Sequence, residues 1–270
     1  MNEREKRISI FEETYEFCMK YLSDEIVHTV CNTGFYDEND YPEIPGTVYD
    51  QTQVSVSDRR SFEAAVLLKR SHPDKKMGVL NFASPYNPGG AVRFGSRAQE
   101  ESLCRCSSLY PCLDTKKLRE SYYERNSVLR KFPGSDAVIY TPDIVVFKSD
   151  EEFPELLERK DWCTVDVITC AAPDLHECRS YEDERKLPAV YRRRIGHILH
   201  ITACRGVDIL VLGAWGCGAF RGDSLLIAKS FARELNRYGK YFMIVEFAIY
   251  DKGESAFSDN RINFMEIFEK

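Results

Sequence analysis

The sequence predicts an α/β fold in which a largely internal sheet lies between two layers of helices. Three observations carry this. Strand-type and helix-type segments alternate along the chain. Several strand segments are apolar throughout, as central strands covered on both faces are. The longest apolar runs, 209–214 and 241–249, fit buried strands and fall far short of a membrane span. No internal repeat or low-complexity linker interrupts the pattern. One compact domain is expected, with residues 1–46 as a helical extension packed on a main domain of residues 47–270.

The elements follow in order. Ile8, Phe11, Tyr15, Met19 and Leu22 recur at spacings of three and four, which predicts an amphipathic helix over residues 2–22. Residues 47–56 alternate Val and Thr with polar residues and predict a strand. Ser57 or Asp58 is positioned to cap the next helix, SFEAAVLLKR, which His72-Pro73-Asp74 ends. MGVLNFAS is a short apolar strand, and a helix is expected from Gln99 to Leu109 after the loop PYNPGG. Residues 116–131 look helical. AVIYT and DIVVFK read as two strands split by Pro142, and TVDVITCAA as a buried strand. Residues 183–205 form a long helix candidate. VDILVLGAW is a strand, DSLLIAKSFARELNRYG a helix, and KYFMIVEFAIYD the last strand.

Composition narrows the function classes. The chain has 270 residues, 43% of them hydrophobic, so a substantial core is within reach. Its net charge of −6 argues against a basic face that tracks nucleic acid. An anionic ligand must then be held by local features, such as backbone amides and helix N-termini. Ten cysteines, at positions 18, 31, 104, 106, 112, 163, 170, 178, 204 and 217, include no CxxC pair. The charged start MNEREKRISIFEETYEF has no apolar signal core. Free thiols in a reducing compartment are expected, and hence a cytoplasmic protein, or a nuclear one in a eukaryote.

Two strands end in glycine-bearing loops. The first runs into PYNPGGA; the second is ILVLGAWGCGAF, with Gly213, Gly216 and Gly218. Ligands of open α/β sheets bind beyond the carboxyl ends of strands. Glycine admits positive φ and close approach of a phosphate, and consecutive amides form an anion-binding concavity. Asp223 and Ser224 then open a helix whose dipole points at the same region. Either loop alone reads equally as a tight turn; two of them favour a phosphate site. Neither matches GxxxxGK[ST], and neither is GxGxxG after a first strand, so a nucleotide kinase or dinucleotide dehydrogenase is not supported.

Gln99, Glu100 and Glu101 follow the first loop. Adjacent carboxylates repel, and burial near an anion raises at least one pKa, as a general acid at a glycosidic bond requires. On a helix the two side chains point about 100° apart, so different tasks are expected of them. Glutamates in a first helical turn also suit the dipole with no catalytic role.

The segment NPGGAVRFGSRAQEE resembles the signature of poly(ADP-ribose) glycohydrolases, three glycines and then Gln-Glu-Glu after six to eight residues. Here Gly89 and Gly90 are followed by Ala91 in the third place, and seven residues precede Gln99. NFASPYNPGGA, AQEESLCRCSSLY, YTPDIVVF and LVLGAWGCGAF are similar to the bacterial-type branch, so the resemblance spans about residues 50–250. It implies a macrodomain-like three-layer α/β/α fold with a central mixed sheet. It implies exo-acting hydrolysis of ribose–ribose O-glycosidic bonds that releases ADP-ribose, without metal or cofactor. Glu101 would be the acid and base, Glu100 would bind ribose hydroxyls, and Gln99 would fix the segment. Asn87, Gly89, Gly90 and Ala91 would line the distal ribose and its phosphate. Gly213, Ala214, Trp215, Gly216, Cys217, Gly218, Ala219 and Phe220 would form the diphosphate loop, with Phe220 against the distal ribose.

Ala91 departs from the signature. If that position needs positive φ, alanine is strained by about 1 kcal/mol or more, which bears on substrate preference. Two other readings stay open: a hydrolase of mono-ADP-ribosylated targets, and a reader that binds ADP-ribose without cutting it. The partner is ADP-ribose, its polymer or an ADP-ribosylated macromolecule, with a monomer expected and no membrane or direct nucleic-acid contact. His197, His200 and Cys204 share a helix face, but no fourth metal ligand is evident, and polar packing is expected. Arg192, Arg193 and Arg194 read as a solvated face, and Cys104, Cys106 and Cys112 as small buried side chains.

Overall fold

The computed structural model describes residues 1–46, 48–129, 132–178, 180–250 and 258–269. Thr47, Arg130, Lys131 and Asp251, which the expected elements reach, lie outside them. The chain opens with α1 (Glu3–Tyr21), α2 (Ser23–Asn32) and β1 (Gly34–Tyr36). Then come β2 (Gln53–Ser57), α3 (Ser61–Ser71), β3 (Met77–Phe82), α4 (Gln99–Cys106) and α5 (Leu109–Leu113). Residues 116–129 run as α6 (Lys116–Leu118), a π-helical stretch (Arg119–Glu124) and α7 (Arg125–Leu129). The rest is β4 (Val138–Val146), β5 (Cys163–Cys170), α8 (Tyr181–Cys204), β6 (Ile209–Leu212), α9 (Ser224–Tyr238), β7 (Ile244–Ala248) and α10 (Ser258–Phe268).

The seven strands form one mixed sheet in the order β1-β4-β5-β3-β6-β7-β2. β5, β3, β6, β7 and β2 run parallel; β4 and β1 complete one edge with antiparallel pairing. Strand period two sorts the side chains into two cores. Val79, Ile139, Val167 and Val211 face α1–α5, while Leu80, Tyr140, Ile168 and Leu212 face α8–α10. The three-layer mixed-sheet fold is therefore as predicted.

Local differences have physical causes. β4 is continuous across Pro142, because the register slips between Thr141 and Ile144 while Asp143 takes φ +53°. Asp143 N–H donates to Asp166 Oδ1 at 2.9 Å, which stabilises the slip. α3 is capped from Arg60, not Ser57 or Asp58. The Arg60 N–H donates to Glu63 Oε2 at 3.1 Å, and Phe62 N–H donates to the remote Asp150 Oδ2 at 2.8 Å. α1 spans the expected residues but buries Arg7, Ile10, Phe11, Thr14 and Cys18 and leaves Met19 exposed. The first 46 residues also contribute more than helix, since β1 is the edge strand of the sheet.

Candidate functional site

β3 and α4 are locked side by side, and Gln99 is the lock. Its Oε1 accepts from Phe82 N–H at 2.9 Å, and its Nε2 donates to Leu80 O at 2.8 Å and Ser61 Oγ at 3.0 Å. This brings the first turn of α4 under the loop that leaves β3. Gly89 and Gly90 both have positive φ, +67° and +59°. A Cβ on Gly89 would lie 2.6 Å from the Tyr110 ring, and one on Gly90 would lie 2.5 Å from Glu101 Oε1. Conformation and space both demand glycine there. The third place does not: Ala91 has φ −109°, which any residue adopts.

The loop amides and the two carboxyls engage directly. Ser84 N–H donates to Glu100 Oε2 at 2.7 Å, and Asn81 Nδ2 donates to Oε1 at 3.2 Å. Burial, reinforced by the neighbouring Glu101 charge, pushes the Glu100 carboxyl up to about 8, although these hydrogen bonds oppose the shift. Glu101 is held at one oxygen only. Its Oε1 accepts from Ala91 N–H at 2.9 Å, while its Oε2 is buried with no partner among the described residues.

α4 begins between two clefts. One is lined by Gln99, Ser102, Ala214, Gly216, Gly218, Ala219 and Phe220, together with Arg60 and Tyr250. The other is lined by Ser84, Asn87, Gly90, Ala91, Glu101, Tyr110, Arg93 and Arg119. The second glycine loop thus faces the first cleft, and the carboxyl with the unpartnered oxygen faces the second. Asp223 caps α9 behind that loop, accepting from Leu225 and Leu226 N–H at 2.9 and 3.1 Å.

A family model described as the microbial-type poly(ADP-ribose) glycohydrolase catalytic domain matches residues 11–149. The chain belongs to this glycohydrolase family. It is similar to the crystal structure of poly(ADP-ribose) glycohydrolase from Thermomonospora curvata, at 27% identity and TM-score 0.85, over 98% of this chain and 100% of that one. The same enzyme bound to the inhibitor ADP-HPD gives 28% identity and TM-score 0.82, over 96% and 98%. Poly(ADP-ribose) glycohydrolase from Deinococcus radiodurans in complex with ADP-ribose gives 29% identity and TM-score 0.78, over 90% and 96%. No curated protein sequence matches the chain. The chain is therefore a glycosidase-type hydrolase by family.

Three expected residues of the glycohydrolase's second loop do not line the cleft. Trp215 is fully buried; its Nε1 donates to Cys170 O at 2.9 Å and its ring packs edge-on to Tyr191 and Phe231. It anchors the loop and is not available to stack on a ligand. Gly213 is pressed between Ala248 O and the Phe82 ring, where a Cβ would come within 2.6 Å and 2.8 Å. Cys217 packs its side chain on the core of the α8–α10 side, and burial raises its thiol to about 12.

The same core explains the other candidates. Arg194 is buried, contrary to a solvated reading of the basic run: it holds Asp136 Oδ1 at 2.8 Å, Ala171 O at 2.9 Å and Pro133 O at 2.7 Å. His197 contacts Asp136 O and Asp40 O, while His200 and Cys204 contact Pro42 O, so this helix face grips backbone. Cys104, Cys106 and Cys112 are buried, and burial raises each thiol. Asn81 and Ser84 were missed as partners of Glu100. Asn81 is legible in retrospect as the lone amide in the apolar strand MGVLNF.

Proposed function

We propose that this glycohydrolase cuts the ribose–ribose O-glycosidic bond of poly(ADP-ribose) with Glu101 as both general acid and general base. The observation that carries the reading is the division of labour within Glu101. One oxygen is fixed by Ala91 N–H, and the other is buried without a partner among the described residues, on a side chain that lines a cleft. A carboxyl oriented through one oxygen leaves the second for proton transfer. Oε2 delivers a proton to the leaving ribose oxygen as the C1–O bond breaks and an oxocarbenium-like sugar forms. Water then attacks C1 and returns its proton to Glu101, so the enzyme ends as it began.

Glu100 serves differently. Both of its oxygens are engaged, and a carboxyl raised to about 8 carries a proton near neutral pH that it can donate to a sugar oxygen. The roles for the second loop follow its place in the other cleft. Consecutive amides around Gly216 and Gly218 hold the diphosphate, with Phe220 beside the distal ribose. Release of single ADP-ribose units from chain ends is the exo mode that the family resemblance implies.

The test is product analysis with labelled poly(ADP-ribose) and with a mono-ADP-ribosylated protein. Shortening of the polymer with free ADP-ribose as the main product is expected. Cleavage of the mono-ADP-ribosylated protein alone would replace this reading with the mono-hydrolase one. Tight ADP-ribose binding without turnover of either would make the chain a reader.

A further inference from the structure

The cleft that holds Glu101 carries cations that the hydrolytic step does not use. Arg93 and Arg119 both line it. Both guanidiniums converge on one carboxylate, Asp114, which pairs with Arg119 and lies 3.8 Å from Arg93. Arg93 is further fixed by its Nε donating to Tyr110 Oη at 2.7 Å, and it lies over the Tyr110 ring. About half of each arginine side chain is exposed. Lys116 and Lys117 lie in α6 just before Arg119, and Glu120 pairs with Lys116. With Glu101 counted, the patch sets four cations against three carboxyls, on a chain whose net charge is −6. Two half-exposed guanidiniums that line a cleft on an acidic protein, with two lysines nearby in sequence, favour an anion there.

The geometry of the two clefts says which anion. The glycine loop suited to the diphosphate of the terminal ADP-ribose lines the first cleft. Glu101 lines the second. If the terminal diphosphate occupies the first cleft and the distal ribose reaches Glu101 past Asn87, Gly90 and Ala91, what lies beyond the bond continues along the second cleft towards Arg93 and Arg119. In a polymer that is the adenosine ribose of the next unit, with its own diphosphate a few bonds away. Guanidinium forks match phosphate oxygens bidentately, and Arg93 is pre-oriented by Tyr110 to offer its outer edge.

We propose that Arg93 and Arg119 form a subsite for the diphosphate of the ADP-ribose unit on the leaving side of the scissile bond. This rests on the hydrolase reading above. It makes the cleft a polymer-selecting device: a leaving group without a diphosphate gains nothing from it. Asp114 holds the two guanidiniums together and is a positioning residue.

The experiment compares two substrates with the same terminal ADP-ribosyl group. One is a short ADP-ribose oligomer. The other links ADP-ribose through the same bond to the 2′-hydroxyl of adenosine, which has no phosphate. The full chain is assayed alongside Arg93→Gln, Arg119→Gln, the double variant and Arg119→Lys. The double variant is expected to lose about tenfold or more in kcat/KM on the oligomer, through weaker charge-assisted contacts, and to keep its rate on the phosphate-free substrate. Arg119→Lys is expected to recover only part of the oligomer rate lost in Arg119→Gln, because an ammonium keeps the charge but not the fork, and added salt to erase much of the preference of the unaltered chain. Equal losses on both substrates, or no loss on either, would overturn the subsite while leaving hydrolysis intact. Failure of the unaltered chain to cleave both substrates would instead overturn the hydrolase reading and the subsite with it.

Discussion

The backbone N–H of Ala91 donates to Oε1 of Glu101 at 2.9 Å, so the residue that breaks the triple-glycine signature also orients the catalytic carboxyl proposed here. Its φ of −109° explains why a side chain is tolerated. Ala91→Gly should therefore change kcat by less than about twofold, with a small stability loss from backbone entropy. Ala91→Pro removes the N–H and should lower kcat by about tenfold or more, the loss of a charge-assisted hydrogen bond. A Pro variant as active as the parent would show that this contact does not orient Glu101.

Gly90 gives the complementary case. A Cβ there would lie 2.5 Å from Glu101 Oε1 and 3.0 Å from Glu100 Oε2, on a backbone with φ +59°. Gly90→Ala should cost about 1–2 kcal/mol of stability from the left-handed backbone alone, and should displace the carboxyls enough to abolish most turnover. Urea unfolding and initial rates on one preparation separate the two effects. Full activity in a folded Gly90→Ala protein would contradict the packing described.

Glu100 makes stability depend on pH in a defined direction. Its carboxyl is raised from about 4.5 to about 8 by burial, so the folded protein holds a proton that the unfolded chain releases near pH 4.5. The contribution is fully present below pH 4.5 and is lost as pH rises through 8. Across that window it amounts to a few kcal/mol, on the order of 1.4 kcal/mol per pH unit. Denaturant titrations at several pH values should show the parent losing stability relative to Glu100→Gln as pH increases. Parallel curves for the two proteins would remove this assignment.

Trp215 separates core from ligand. Its buried ring and its 2.9 Å bond to Cys170 O predict that Trp215→Phe costs about 1–2 kcal/mol, from the lost hydrogen bond and reduced packing. ADP-ribose affinity should stay within about threefold, measured by calorimetry. A large affinity loss in a stable variant would put the indole at the ligand after all.

α1 braces the loop that precedes Gln99. Arg7 Nε donates to Gly95 O at 2.7 Å, and its Nη1 reaches Glu152 at 2.9 Å. Arg4 Nε donates to Phe94 O at 2.8 Å. Arg7→Ala leaves a carbonyl and a carboxylate without this partner and should destabilise by about 2–3 kcal/mol. Activity per folded molecule should fall as well, because the tie to the loop preceding Gln99 is gone. Unchanged stability and activity would make α1 a passive addition.

Much of this was legible in the sequence because it is local. The apolar runs mark β3, β5, β6 and β7 by composition, and Gly89, Gly90 and Glu101 fall within thirteen residues of chain. What escaped is long-range. Asp150 caps α3 from 88 residues away, and nothing near Phe62 signals it. Arg194 looked like part of a solvated run because its partners, Asp136, Ala171 and Pro133, are gathered only by the fold. Pro142 looked like a strand break because a register slip with Asp143 at positive φ is not written in composition.

The central claim is that Glu101 transfers the proton through its unpartnered oxygen. The most direct measurement is single-turnover cleavage of poly(ADP-ribose) by Glu101→Gln, paired with ADP-ribose binding by the same protein. The amide keeps an oxygen for the Ala91 N–H but cannot exchange a proton. The account predicts a rate lower by about 10²–10⁴-fold, as for loss of a general acid–base, with ADP-ribose affinity within about threefold of the parent. Cleavage at the parental rate by Glu101→Gln would contradict it.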